Sequence, residues 1–387
     1  MTATFQPIPL TGLPFPRSEY ERRQQKVFEA VARAELDALL VTSFAHLQYL
    51  SGYDGAAGAY FAPFPLIMMP GRAPTYVVRE YDENAIRACS CIEEIAPYTQ
   101  RNDFAKVCAE VLRRYGLQGK KVGFELGGWN LAPADVSALQ AELPELKITD
   151  ATSVIHLVKA VKSELELAAI REAMVLTDLA VDTFQRSLRG GVTEAEVAAA
   201  MEGEVRNAGG RLVFAVLGFG ERTRLPHVLP ANHPISMNEP ALMEVGGTKQ
   251  GYSAGLCRGA VLGRHSETES LYPLAVGALE AAIAAIKPGV TTGEVDAAAR
   301  KLIERSGRSK LFRHRTGYAT GPAWSGGRGN LSLEPGAADV LETGMTFHMP
   351  LHLFSESGYI VGCSEHIVVT KSGAEILSRT PHALYRA

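Results

Sequence analysis

A chain of 387 residues is longer than one hydrophobic core normally organises, so two domains are expected. Apolar residues make up 46% and charged residues 21%, a globular balance that excludes a disordered or fibrous chain. The formal net charge of −3 gives no electrostatic reason to bind nucleic acid or an anionic membrane, so neither is expected as a partner.

The segment from Met1 to Pro16 lacks the basic stretch and apolar core of a secretory signal. The longest membrane candidate, residues 61–70, is short and broken by prolines, so a cytoplasmic location is expected. Cys89, Cys91, Cys108, Cys257 and Cys363 are an odd number without paired zinc spacing. Cys89-x-Cys91 is too tight for an ordinary disulfide and reads as packing.

Apolar positions at helical spacing predict a helix over residues 18–34, followed by a buried strand at 36–42. Strands at 65–69 and 76–79, a helix at 104–115, a strand at 121–124 and a helix at 133–143 continue the alternation. That order predicts a three-layer α/β domain over residues 1–158. A second domain, 159–387, opens with a helix whose Lys162-Ser163-x-x-Glu166 start matches an N-terminal capping box.

Beyond it the chain repeats itself. Gly191-Val192-Thr193-x-x-Glu196-Val197-x-Ala199-Ala200 returns as Gly289-Val290-Thr291-x-x-Glu294-Val295-x-Ala297-Ala298, each copy offering a Thr cap answered by Glu three residues on. Two α+β halves related by a pseudo-twofold, with strands converging on one cleft, are the expected result.

Between the copies lies the stretch most suited to chemistry. An apolar run reaching Glu244, a turn through Gly246-Gly247 and a second run to Cys257 and Arg258 predict a β-hairpin. A carboxylate inside Ala241-Leu242-Met243-Glu244-Val245 is costly without a partner, so Glu244 reads as a site residue or as the mate of Arg258. Glu365 ahead of Ile367-Val368-Val369 follows the same logic. The Gly326-Gly327-x-Gly329 run follows no strand and opens no helix, and reads as a mobile loop beside the cleft.

Gly246, Gly251, Tyr252 and Arg258 preserve a frame, Asp-x-Gly-x4-Gly-Tyr-x2-Asp-x-Thr-Arg, that resembles the superfamily of methionine aminopeptidases, prolidases, aminopeptidase P and creatinase. The resemblance runs from Phe15-Pro16-Arg17-x-Glu19-Tyr20 to the C-terminal strand and implies the pita-bread fold. In its peptidases two Asp metal ligands stand at the positions of Glu244 and Gly255, a His at Tyr318, a Glu at His348 and a final Glu at Glu365. With one position unchanged, no metal and no cofactor are expected, because a metal pair needs several carboxylates to offset its charge. The resemblance is nearest to the metal-free branch of creatinase and ectoine hydrolase, which shows a similar Gly-Tyr-x-x-Gly and Met-Thr-Phe-His.

That branch implies a hydrolase opening a non-peptide C–N bond in a small cyclic amidine or amide. His227, matching the catalytic His of creatinase, would shuttle protons. Glu244 and Glu365 would grip or attack the electron-poor carbon, and Tyr252, Tyr318 and His348 would donate to the oxyanion. Arg258 and Cys257 would bind substrate, Trp324 would close over a cationic ring, and Cys257 is also a candidate thiolate with His227 as base. Cys257 also replaces a guanidinium-binding Glu, which argues against creatine. Arg79 would reach the cleft of a second subunit and hold a substrate carboxylate, so a homodimer with a shared cleft is implied. The alternatives are a metal-dependent Xaa-Pro peptidase using Glu244, His348 and Glu365, and a catalytically inactive pita-bread protein used for binding.

Overall fold

The computed structural model describes residues 12–54, 62–322, 324 and 330–387. Two compact units divide the described residues, one running up to Lys159 and the other from Ala160 to Ala387. Among the described residues no helix is long and apolar enough to cross a membrane.

The first unit runs α1 (Arg17–Arg33), β1 (Ala38–Val41), α2 (Phe44–Ser51), β2 (Leu66–Met68), β3 (Thr75–Arg79), α3 (Glu83–Cys89), β4 (Glu94–Tyr98), α4 (Phe104–Arg114), β5 (Lys121–Phe124), α5 (Pro133–Glu142) and β6 (Lys147–Asp150). Its six strands form one mixed sheet ordered β4-β3-β2-β1-β5-β6. All four residues of β1 are buried, as in a sheet covered on both faces. One face packs Leu40, Ile67, Val77 and Phe124 against Phe104, Cys108 and Leu112 of α4. Cys91 and Cys108 are buried free thiols, as packing requires, while Cys89 is partly exposed and also free.

The linking helix α6 (Thr152–Ala160) precedes α7 (Glu164–Ser187), α8 (Glu194–Asn207), β7 (Arg211–Phe219), β8 (Glu239–Lys249) and β9 (Tyr252–Leu262). Then follow α9 (Ser266–Ala285), α10 (Thr292–Arg305), β10 (Gly317–Ala319), β11 (Ser332–Leu333), β12 (Thr346–Phe354), β13 (Ile360–Thr370), β14 (Gly373–Ile376) and β15 (Tyr385–Arg386). One sheet is ordered β15-β9-β8-β7, the other β11-β10-β12-β13-β14.

The repeat seen in sequence is a repeat in space. Ser163, Thr193 and Thr291 each cap a helix in a reciprocal box with the Glu three residues later. The preceding loops are held alike: Gly191 N–H donates to the Ile235 carbonyl at 2.9 Å and Gly289 N–H to the Leu341 carbonyl at 2.9 Å. Thr193 bridges Pro234, and Thr291 bridges Val340.

The hairpin forms, with its turn elsewhere than expected. Lys249 pairs with Tyr252, so the reversal is at Gln250-Gly251, whose φ values of 50° and 82° suit a tight hairpin turn of primed type. Gly246 and Gly247 lie inside β8. They are glycines for close approach: a Cβ on Gly247 would stand 2.6 Å from the Ala173 carbonyl of α7.

Candidate active site

Strand alternation decides which hairpin residues share a face. Glu244 lies opposite Cys257, and Gly246 opposite Gly255, while Met243 and Arg258 pair one step along, on the other face. In the second sheet Tyr318 pairs with His348 and His348 with His366, and Ser364 falls on the same face of β13 as His366. Side chains join the two sheets. Ser364 Oγ accepts the Cys257 N–H at 2.6 Å, and His366 Nδ1 accepts the Gly255 N–H at 3.1 Å.

A chain of polar contacts crosses this face. Trp324 Nε1–H donates to Tyr318 Oη at 3.0 Å, Tyr318 Oη meets His348 Nδ1 at 2.9 Å, and His348 Nε2 meets Ser364 Oγ at 2.8 Å. Glu244 Oε1 stands 3.9 Å from His348 Nδ1. Burial with no cation beside it pushes the Glu244 carboxyl up to about 7. Burial drives the imidazoles the other way: His348 well below its ordinary value, His352 and His366 each to about 3. One acid poised near neutrality therefore stands among imidazoles that stay uncharged.

The face opens on a cavity of about 350 Å³ bordered by Glu244, Tyr318, His227 and His352, with Arg313 and Arg315 on its wall. The Arg315 guanidinium lies over the Tyr318 ring at 4.6 Å and that of Arg313 over Phe354 at 4.7 Å, so both cations are braced by aromatic faces. His227 is exposed and holds φ at 56°, left-handed for a residue with a Cβ.

Trp324 is the floor of the site. A Cβ on Gly255 would lie 2.4 Å from its indole and one on Gly246 2.3 Å from it, so the ring rests on the two bare backbones. Its ring stands edge-on to His348 at 5.5 Å.

Three residues expected on the cleft lie elsewhere. Tyr252 is buried on the opposite face of β9, its hydroxyl donating to Glu166 Oε1 at 2.8 Å, where it braces the cap of α7. Arg258, fully buried on that same face, donates to the carbonyls of Cys257, Thr380 and Pro381 and to Ser378 Oγ. Its partner is Glu365 at 3.5 Å, not Glu244. Glu365 also accepts from Ser378 at 2.7 Å and lies 2.9 Å from His382 Nε2. Burial raises its carboxyl, but His382, Arg258 and Ser378 together hold it below the ordinary value. Glu365 is thus consumed in a structural cluster, and Ser364 takes the site-facing position.

The imidazole beside Cys257 is His352, with Nε2 at 3.1 Å from Sγ, rather than His227. Burial pushes the Cys257 thiol well up, against a thiolate nucleophile. Arg79 ends β3 with its guanidinium on Asp82 at 2.9 Å. The glycine loop at residues 326–329 lies outside the described residues. Ser364, His366, His352, Arg313 and Arg315 were not anticipated. Period-two spacing leads from His348 to His352, and one step either side of Glu365 gives Ser364 and His366.

The family model of metallopeptidase family M24 matches residues 168–371, and that of the creatinase/prolidase N-terminal domain matches residues 23–161. The chain belongs to the M24 family, in the creatinase/prolidase/aminopeptidase P superfamily. Its C-terminal unit has the pita-bread fold of that family. The chain is 30% identical to the uncharacterized hydrolase/peptidase y4tM of Sinorhizobium fredii, over 96% of this chain and 98% of that one. It is 26% identical to the ectoine hydrolase of Halomonas elongata, over 97% and 98%. The crystal structure of dipeptidase PepE from Mycobacterium ulcerans superposes with a TM-score of 0.85 at 24% identity, covering 96% of this chain and 99% of that chain.

The family name implies metal. A pair of divalent ions held about 3.5–4 Å apart needs several carboxylates around it. The positions facing the site carry Glu244, Gly255, Tyr318, His348 and Ser364, and the space before Gly255 holds the Trp324 indole. Both His348 nitrogens are engaged by neutral hydroxyls. Among the described residues no three His, Cys, Asp or Glu side chains form a group that could hold a metal ion. These residues do not fit a dinuclear centre.

Proposed function

We propose that this M24 hydrolase opens a non-peptide C–N bond in a small cyclic amidine or amide bearing a carboxylate, and does so without metal. The observation that carries this reading is Glu244: a single site carboxyl, pushed up to about 7 by burial, facing neutral hydrogen-bonding groups rather than other acids. A poised carboxylate can take a proton from water near neutrality and return it. Arg313 and Arg315 on the cavity wall supply the counter-charge for a substrate carboxylate.

In the proposed reaction, water forms a bond to the carbon of the protonated amidine while Glu244 takes one of its protons, and the C=N electron pair moves onto the cationic nitrogen, which becomes neutral. The adduct's hydroxyl gives its proton to His227, and the resulting oxyanion collapses to the carbonyl with cleavage of the ring C–N bond as Glu244 gives its proton to the leaving nitrogen. Tyr318, oriented by Trp324 and His348, donates to the developing oxygen charge. His227 at the cavity mouth exchanges the proton with solvent. The similarity to ectoine hydrolase favours a cyclic amidine carboxylate of that kind.

The test is turnover of ectoine, hydroxyectoine, hydantoins and Xaa-Pro dipeptides by protein purified without chelator, with metal analysis of the same sample. Ring opening that persists in EDTA is the expected result. Stoichiometric Mn, Co or Zn together with chelator-sensitive dipeptide cleavage would overturn the proposal.

A further inference from the structure

Buried Cys257 and half-buried His352 form a pair that the reaction above does not use. Cys257 Sγ lies 3.1 Å from His352 Nε2 on β12. Cys257 sits directly across β8–β9 from Glu244, and His352 borders the same cavity as that carboxyl.

The direction of the Cys257–His352 contact follows from the chemistry of the two groups. A thiol is a weak donor and sulfur a weaker acceptor, whereas an unprotonated imidazole nitrogen accepts strongly. Burial beside Glu244 keeps the thiol protonated. The S–H therefore donates to Nε2. A neutral imidazole has one proton, so with Nε2 accepting, that proton resides on Nδ1. Among the described residues the hydrogen bond of the His352 ring is made through Nε2, which leaves Nδ1 for the cavity that His352 lines. His314 packs against His352 at 5.7 Å and approaches its carbonyl at 3.2 Å, fixing ring and backbone from behind.

We infer that His352 is a catalytic residue acting as a neutral hydrogen-bond donor, its Nδ1–H aimed at the oxygen of the substrate adduct, and that Cys257 is the positioning residue that sets this tautomer. The role deepens the proposed reaction and rests on it. A donor that stays uncharged through the physiological range polarises an oxygen without competing with Glu244 for its proton.

Two measurements on the full chain test the assignment. In protein labelled with 15N-histidine, NMR should show His352 protonated on Nδ1 in the wild type and in Cys257→Ser, which keeps a donor. Cys257→Ala should give a tautomer mixture. Protonation of His352 on Nε2 in the wild type would overturn the proposal. With ectoine as the probe, His352→Gln, which reaches the Nε2 position, should lower kcat roughly a hundredfold with KM little changed. His352→Asn, whose amide nitrogen falls near Nδ1, should retain most of the rate, and Cys257→Ser should recover what Cys257→Ala loses. Equal and complete loss in both cysteine variants with the tautomer unchanged would make the thiol a nucleophile and sink the assignment. Failure of the chain to open ectoine would remove the proposed reaction while leaving the tautomer result standing.

Discussion

The indole of Trp324 lies so close to Gly255 that a Cβ there would stand 2.4 Å from the ring. Glycine at this place leaves room for an aromatic floor that orients Tyr318. Gly255→Ala should therefore cost about 1–3 kcal/mol by overpacking, and the loss should shrink in a Trp324→Leu background, because the two sites are coupled. Thermal denaturation of the two single variants and the double variant measures this, and strictly additive losses would contradict it.

Glu244 yields a pH prediction with a definite sign. Its carboxyl is raised from 4.5 to about 7 in the folded protein, so the native state holds a proton the unfolded chain has already lost. The stabilisation is complete below pH 4.5 and is lost as pH rises through about 7, an amount of roughly 3 kcal/mol. Glu244→Gln should flatten the melting temperature across this window and make the protein relatively more stable at pH 8. The same variant should lose hydrolysis, and kcat/KM of the wild type should rise with an apparent pKa near 7.

Glu365 behaves oppositely. With Arg258, Ser378 and His382 holding its carboxyl below the ordinary value, it contributes stability above the unfolded pKa that disappears as pH falls. Removing one partner strands the other charge, so Arg258→Ala should cost about 3–5 kcal/mol in chemical denaturation. A Glu365→Gln variant that weakened only KM, at unchanged stability, would return this residue to the substrate.

His227 is exposed at the cavity mouth with a left-handed backbone. Substituting it with Ala should lower turnover while changing stability by less than about 0.5 kcal/mol, as for most surface positions. Unchanged rates would remove it as a proton carrier.

Much of this architecture was legible from side-chain spacing. The capping boxes at Ser163, Thr193 and Thr291 are local chemistry and formed where the sequence placed them. The hairpin was legible too, but its turn was not: Gly246-Gly247 resembles a reversal, while the glycine needed for left-handed backbone is Gly251. The misplaced site residues share one cause. Tyr252, Arg258 and Glu365 each sit an odd number of steps from a neighbour that faces the cleft, Gly255, Cys257 and Ser364 respectively. Counting by two along each strand would have moved them to the far face. The pairing of His352 with Cys257, by contrast, needed tertiary information, since nothing local announces that β12 and β9 bring the two together.

Arg258 gathers the Thr380 and Pro381 carbonyls, and Tyr385–Arg386 runs beside β9 as an added edge strand. The final segment is in this way a strap buckled onto the back of the strand that presents Cys257. Trimming the chain before Thr380 would unfasten that strap, and the reacting groups on the other side would lose their alignment although none of them had been touched.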